Sequence, residues 1–453
     1  MTQDRLPSLT ETTWLWLKIG CLSFGGPAGQ IAMMHRAVVE ERQWLSDARF
    51  LHALNYCTLL PGPEAQQLAT YIGWLMHGVR GGLIAGVLFV LPGALVMLAL
   101  SVLYFLYAEV PAIQAVFYGL KAAVLAIVIE AVVRIGKRTL GRSWLIVIAG
   151  AAFTALFLFN APFPWVVLGA GLLGLVAGLA GVSAKSGGNE GQGLQSGLVD
   201  RLITAGALPH TARNAGRTFL ATLACLGAWT APVALVFAIT ADGSVWRNLA
   251  VFFSQAAIVT FGGAYAVLPY VAQQAVETYQ WMEPKEMLHG LALAETTPGP
   301  LILVLQFVGF LAAAKEAGGL HPILAGILGG LLTTWVTFAP SFLWIFAGAP
   351  YAEAIRTITA LRTALLAITA AVLGVIMNLA VWFGLHVIFT RIETVQSGPA
   401  RLYVPDAASF DPVALGITAV AAVLLIRFKL GVIPVLLLCA ALGAAWQLRA
   451  MWL

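Results

Sequence analysis

Charge is what this chain has least of. Lys, Arg, Asp and Glu supply 10% of its 453 residues, where a soluble protein of this size carries about 25%. With 60% hydrophobic residues and a mean hydropathy of +0.89, that shortfall excludes a soluble globular protein and predicts an all-α polytopic membrane protein. The net charge of +5 is no nucleic-acid footprint, because the basic residues lie in short loops between apolar runs. Cysteine is also scarce: Cys21, Cys57, Cys225 and Cys439 all fall in apolar segments without metal-ligand spacing. They are expected to be reduced, buried small hydrophobes, and neither a metal nor a cofactor is expected. HExxH, GxSxG, a clustered His/Asp set and a Walker motif are missing, which argues against an enzyme and against an ATP-driven pump. A basic n-region and a small-residue cleavage site are missing from the first 24 residues, so the first helix is expected to stay.

Glycine and proline, by contrast, are plentiful and patterned. The stretch from Phe24 to Pro63 reads FGGPAGQIAMMHRAVVEERQWLSDARFLHALNYCTLLPGP. It returns from Phe261 to Pro300 as FGGAYAVLPYVAQQAVETYQWMEPKEMLHGLALAETTPGP, aligned without a gap at an offset of 237. Thirteen of forty positions are identical, including FGG at the start, PGP at the end, Glu40/Glu277, Trp44/Trp281 and His52/His289. Matches at both glycine–proline sites make this an internal duplication.

Each copy predicts two broken helix pairs. In the first, a helix capped at Ser8 or Thr10 stops at Gly25-Gly26 and restarts with Pro27, and Ser46–Leu60 is split from Pro63–His77 by Pro61-Gly62-Pro63. Such pieces run to about 18–24 Å, too short for a ~30 Å bilayer core, so they are expected to enter the membrane and return. Spans follow at Gly82–Tyr107, Ala112–Ile135, Trp144–Phe159 and Trp165–Val182. Ser183–Asn214 reads as a linker and Gly216–Thr240 as one extra span. The second copy gives Val245–Phe261 with Ala264–Glu277, Pro284–Thr297 with Pro300–Lys315, then spans Ile323–Phe346, Thr363–Phe389, Pro412–Arg427 and Gly431–Leu448. Arg391–Asp411 reads as a loop. The expected units are therefore 1–183, a cytoplasmic linker 184–214, a connecting helix 215–243 and a second membrane repeat 244–453.

Arg134, Lys137, Arg138 and Arg142 mark one loop as cytoplasmic. Counting from it places 17 of the 25 Lys and Arg inside, Lys185 and Arg356 among them, with six outside and Lys18 and Lys121 within the membrane. The odd extra helix inverts the second copy relative to the first. Inverted repeats with discontinuous helices are the build of secondary transporters. A helix start leaves about four N–H groups unpaired and carries roughly half a positive charge. Starts at Gly26, Gly62, Gly263 and Gly299 meeting near mid-bilayer would suit a small oxyanion.

The segments FGGPAGQIAMMH, LPGPEAQQLATYIGW, TFGGAYAVLPYV and AETTPGPLILVLQFVGF resemble the signature stretches of the chromate ion transporter (CHR) family, in its long two-domain bacterial form. The resemblance covers both halves, with little of it in the linker and final spans. It implies chromate export across the bacterial cytoplasmic membrane, giving chromate resistance, with sulfate as the look-alike substrate, and a homodimer is left open. The expected substrate-binding set is Ser23, Gly25, Gly26, Pro27, Gly62, Pro63, Gln66, Gln67, Thr260, Gly262, Gly263, Gly299 and Pro300. Ser23 and Thr260 offer hydroxyl donors, and Gln66 and Gln67 amide donors. Lys18, Glu64 and Glu295 are the coupling or gating candidates. Lys18 either faces the cavity or snorkels; Glu64 either favours the helix dipole or carries a coupling proton; Glu295 stands where a carboxylate is costly.

Export fits the energetics without ATP. Moving a dianion out of a negative-inside cell gains roughly 4.6 kcal/mol per 100 mV. Alternatives are a sulfate or other oxyanion carrier, and a membrane-embedded enzyme acting on a phosphate-bearing lipid. For the topology, tags after Arg138 and Asn189 should report cytoplasm and a tag within Ser397–Ser409 the outside; finding Asn189 and Ser397 on one side would exclude the inverted layout.

Overall fold

The computed structural model describes residues 6–24, 26–181, 197–261, 263–351 and 359–452, so Lys185, Asn189 and Arg356 lie outside the described residues. The first copy runs α1 (Leu9–Leu22), α2 (Gly26–His35), α3 (Asp47–Cys57), α4 (Glu64–Tyr107), α5 (Pro111–Thr139), α6 (Ser143–Phe157) and α7 (Phe163–Leu179). A short α8 (Leu198–Thr204) and the long α9 (Ala215–Ile239) lead to the second copy. That copy runs α10 (Val245–Val259), α11 (Ala264–Gln273), α12 (Pro284–Thr296), α13 (Val304–Lys315), α14 (Pro322–Gly348), α15 (Thr359–Ile388), α16 (Pro412–Ile426) and α17 (Val432–Trp452). Six helices among the described residues are long and apolar enough to cross a membrane. The chain is an all-α polytopic membrane protein.

Local chemistry sets the ends. Ser8, Ser46, Asn214 and Ser244 each accept an N–H of the first turn, and Asp411 accepts two, from Val413 and Ala414. Proline opens α5, α12, α14 and α16, where its missing N–H costs nothing. The 44-residue α4 turns back on itself at His77-Gly78. A Cβ at Gly73 would stand 2.6 Å from the Ala85 Cβ, although a straight helix would separate these residues by about 18 Å. Small residues let other helices meet at backbone distance: Gly119 of α5 lies on the Cys439 carbonyl of α17, and Gly174 of α7 on Ala367 of α15.

The duplication extends to backbone detail. Both copies follow their second helix with a π-helical turn, Arg36–Glu41 and Gln274–Thr278. Gln43 and Gln280 then adopt φ 53° and 54°. The Trp44 N–H closes on the Val38 carbonyl at 2.8 Å, and the Trp281 N–H on the Ala275 carbonyl at the same distance.

Two expectations need correction. Arg391–Asp411 is not a plain loop: β1 (Ile392–Ser397) and β2 (Ala400–Pro405) pair antiparallel about Gly398-Pro399, with Gly398 at φ 60°. Thr394, Val395, Leu402, Tyr403 and Val404 flanking a glycine turn carried that signal. Cys21 is exposed rather than buried, because it falls on the outer side of α1; Cys57 and Cys439 are buried as expected, and Cys225 is half-buried.

Each copy's polar turn is held by a segment from elsewhere. From residue 197 the linker packs on the first copy, Leu198 N–H donating to Gln43 and Val199 N–H to Trp44. Asp200 accepts from Arg49 Nε at 2.8 Å and from the Ser46 N–H at 3.0 Å. The β-hairpin does the same for the second copy. Arg401 grips Glu277 with two 2.7 Å bonds, Tyr403 adds a third, and the Arg401 N–H donates to Leu158.

Burial alone would raise the Asp200 carboxyl, but the bonds from Arg49 and Ser46 outweigh it and hold the group below the usual carboxylate range. A carboxylate depressed on folding stabilises above its unfolded pKa and loses that effect as pH falls through its folded pKa. Asp200→Asn should therefore lower the unfolding free energy of the solubilised protein by about 1–2 kcal/mol near neutral pH, with the gap from the native chain closing in acid. Identical melting at neutral pH would show that linker docking adds no stability.

Candidate functional site

A helix broken in a low-dielectric surround must find partners for the backbone groups it frees. Four breaks lie at Ser23–Gly26, Thr58–Pro63, Thr260–Gly263 and Thr297–Pro300. Their glycines Gly26, Gly62, Gly263 and Gly299 take φ of 72°, 116°, 86° and 87°, a region that side chains with a Cβ avoid. The breaks meet pairwise across the two copies. The Gly62 N–H donates to the Thr260 carbonyl at 2.7 Å, and the Gly299 N–H donates to the Ser23 carbonyl at 2.8 Å. Thr260 and Ser23 are equivalent residues, as are Gly62 and Gly299, so the exchange is reciprocal.

Polar side chains gather at both pairs. At the Gly299 pair, Gln30 Nε2 donates to the Gly299 carbonyl at 2.6 Å. The Tyr265 hydroxyl donates to Glu295 at 2.7 Å, and both residues are buried. That hydroxyl is the only described group within 4 Å of where a Gly26 Cβ would stand, at 3.9 Å. At the Gly62 pair, Gln67 Nε2 donates to the Pro61 carbonyl at 2.6 Å, and the Ser341 hydroxyl of α14 lies beside Gly62. The Glu64 carboxylate alone faces Gly263, 3.8 Å from its Cβ position. The starts of α2 and α11 thus each look across a small open space at an acidic group of the other copy or its tyrosine partner.

Several expected roles change. The Ser23 and Thr260 hydroxyls donate back to the Ile19 and Ala256 carbonyls of their own helices, so it is their carbonyls that join the site. The Gly62 and Gly299 N–H groups, expected to face a ligand, donate across the copies to the Thr260 and Ser23 carbonyls instead. Gln66 and Gln67 use Nε2 on Thr70 and Pro61, leaving Oε1 of each buried and without a partner among the described residues. Pro63 caps α4 directly, while Pro300 precedes a 3-10 turn, Leu301–Leu303, before α13 begins. Pro27 sits in the first turn of α2. Lys18 is not brought to the breaks: α1 buries Thr12, Leu15, Trp16, Ile19 and Gly20, and Lys18 is exposed off that face. Gly25 and Gly262 lie outside the described residues.

Gln30, Tyr265 and Ser341 were missed. None was singled out by a glycine–proline break beside it in sequence; an uncharged polar residue inside an apolar helix would have found them. His289, one of the two duplicated histidines, packs in the core: it stacks on Phe117 at 4.3 Å and bonds the Tyr104 hydroxyl at 2.9 Å.

A family profile described as chromate transporter matches residues 10–175 and 247–444. The two regions contain both copies of the motif, leave out the linker and α9, and reach further into the final spans than the signature stretches do. The chromate transport protein of Pseudomonas aeruginosa is 35% identical over 364 residues, 80% of this chain and 77% of its own length. The probable chromate transport protein of Synechococcus elongatus is 30% identical over 379 residues, 83% and 85% of the two chains. That of Cupriavidus metallidurans is 28% identical over 372 residues, 82% and 81%. No solved structure matches the chain. Its relatives match it across both halves and the profile across most of its length, and the chain belongs to the chromate transporter family.

Proposed function

We propose that this protein exports chromate from the cytoplasm by alternating access, with the oxyanion held near mid-bilayer between the starts of α2 and α11. The reciprocal pairing of the four breaks carries this reading. It joins one break of each copy to one of the other, so that sliding the copies apart at one pair opens one side while the other pair keeps the site closed. First-turn N–H groups of α2 and α11 have no acceptor within their own helices, and they supply donors and positive potential for an anion.

The inverted, re-entrant layout in a bacterial cytoplasmic membrane belongs to the same proposal. Its support is consistency of sides. Groups that the charge bias puts inside meet one another, as Asp200 meets Arg49 and His210 packs on Trp74. Groups put outside do likewise, as Arg401 meets Glu277. The names of the relatives supply the substrate, and the membrane potential supplies the drive. A fixed carboxylate ~4 Å from an anion costs on the order of 4 kcal/mol per unit pair of like charges at an effective dielectric near 20, so Glu64 and Glu295 are protonated or turned aside when substrate is bound.

Purified protein in sealed vesicles, with the potential clamped, should move labelled chromate toward the positive side without changing it chemically; absence of movement would sink the proposal. Gly26→Ala and Gly263→Ala test the helix starts. The added methyl meets no backbone in either place, but the positive φ costs about 1–2 kcal/mol and shifts the N–H groups. Transport should fall at least about tenfold with protein abundance unchanged. Gly299→Val differs, because its Cβ would already stand 3.5 Å from Gly93 Cα and 3.6 Å from the Phe89 carbonyl, so abundance should fall too. Equal loss of abundance in all three variants would make these glycines packing residues only.

A further inference from the structure

Several arginines of this chain sit on a carboxylate: Arg49 on Asp200, Arg134 on Glu130, Arg247 on Asp242 and Arg401 on Glu277. Three others, Arg80, Arg213 and Arg217, have no carboxylate partner among the described residues. Arg213 lies over the Tyr351 ring at 5.8 Å, and Arg217 donates to the Pro209 carbonyl at 3.1 Å. Both partners are neutral, so neither charge is offset.

Arg217 lines an open cleft of ≈ 400 Å³ where the α4 turn, the segment after the linker, the start of α9 and the end of α14 come together. Trp74, Val79, Ala221 and Phe346 form its apolar wall, and the Phe346 ring lies against Gly82 of α4. His210 is fixed at one side, its Nε2 donating to the Leu75 carbonyl at 3.1 Å and its ring meeting Trp74 edge-on. Asn214 accepts the Arg217 N–H through Oδ1, which leaves its NH2 as a free donor. Arg80 follows Val79 and Arg213 precedes Asn214 in the chain, and no Asp or Glu lines the cleft.

The apolar wall continues along α9. That helix runs 25 residues, Ala215–Ile239, and buries only Trp229 of them. Its middle is held by Trp229 Nε1 on the Ser254 hydroxyl and by Trp335 Nε1 on the Ala228 carbonyl. Phe219, Leu220 and Leu223, in its first turns, are exposed. An apolar wall beneath an uncompensated basic rim fits a molecule with a hydrocarbon part and an anionic head. A free oxyanion gains nothing from Val79, Ala221 and Phe346, and a zwitterionic lipid brings a cation to a rim without carboxylates.

We propose that this cleft binds an anionic phospholipid of the cytoplasmic leaflet, with its phosphate at Arg217, Arg213 and Arg80 beside it, and its upper acyl chain along Val79, Ala221 and Phe346. Each arginine near an anionic headgroup adds about fivefold to affinity. The lipid bridges the α4 turn, the segment after the linker and α9, and so fastens a helix that the rest of the chain holds mainly at its middle. That the leaflet is the cytoplasmic one rests on the layout proposed above; the cleft and its charge do not.

The full chain, purified in detergent and stripped of lipid, is titrated with phosphatidylglycerol, phosphatidylcholine and inorganic phosphate. Bound lipid is read by native mass spectrometry and stability by thermal melting. Phosphatidylglycerol should be retained and should raise the melting temperature, and phosphatidylcholine should bind at least about tenfold more weakly. Arg217→Gln should raise the half-saturating phosphatidylglycerol concentration about fivefold or more, and Ala221→Leu, which fills the wall and leaves the charge, should raise it severalfold. Arg138→Gln removes an exposed charge that does not line the cleft and should change it less than about twofold.

Equal binding of the two lipids, or equal loss in Arg138→Gln and Arg217→Gln, would reduce the effect to general surface charge and overturn the site. Stabilisation by inorganic phosphate that Arg217→Gln abolishes, without retained lipid, would make this a free-anion site and overturn the lipid. Should Arg217→Gln fail to accumulate, the two lipids on the native chain and on Ala221→Leu decide. None of these readouts involves transport, so the exporter reading and this site stand or fall separately.

Discussion

A helix interrupted in a packed, apolar interior leaves backbone N–H and carbonyl groups that need partners, and everything distinctive here follows from how four such interruptions are satisfied. Each donates to or accepts from a break of the other copy, Gly62 to Thr260 and Gly299 to Ser23. One copy alone would bury unsatisfied backbone, at a cost of several kcal/mol per group in hydrocarbon. The presence of both copies is thus a structural requirement as much as an evolutionary record. These two bonds join a wider seam between the copies, in which Gln30 also donates to Gly299, Tyr56 to Trp344 and Tyr118 to Asp411.

Symmetry in the backbone coexists with asymmetry in the side chains. The glycines, the π-helical turns and the tryptophan-closed loops occur twice with near-identical geometry. The polar groups that line the breaks occur once. Gln30, Glu64 and Gln67 come from the first copy, Tyr265, Glu295 and Ser341 from the second. At the position of Glu64-Ala65-Gln66 the second copy has Leu301-Ile302-Leu303, and its helix starts with a 3-10 turn instead. The duplicated frame brings the four breaks together, and the divergent residues set the polar groups around them.

The two clamps on the polar turns complete this division. A segment after the linker closes on the first copy through Asp200 and Arg49, and the β-hairpin closes on the second through Arg401 and Glu277. Glu277 has its equivalent in Glu40, which pairs with His35 of its own copy instead. Each clamp thus holds the polar turn that separates the two broken helix pairs of its copy.

The order, number and approximate ends of the helices were legible in the sequence, because hydrophobic run length and Gly/Pro punctuation are local properties. Ser8, Pro111, Pro284 and Pro412 act where they stand, and the turn of α4 at His77-Gly78 fell where the apolar run was divided. The duplication was equally legible, and with it the four glycines whose positive φ side chains with a Cβ avoid. The β-hairpin was legible in principle and went unread beside so much helix. What only tertiary structure decided is which break faces which. Gly62 and Thr260 lie far apart in the chain, and no local preference says that the N–H of one meets the carbonyl of the other. That pairing turned Ser23 and Thr260 from hydroxyl donors into carbonyl acceptors and brought Tyr265 to Glu295. It set Gln30 and Gln67 on the Gly299 and Pro61 carbonyls, because a hydrogen bond is fixed by position and direction in space, and sequence fixes only the residues able to make it.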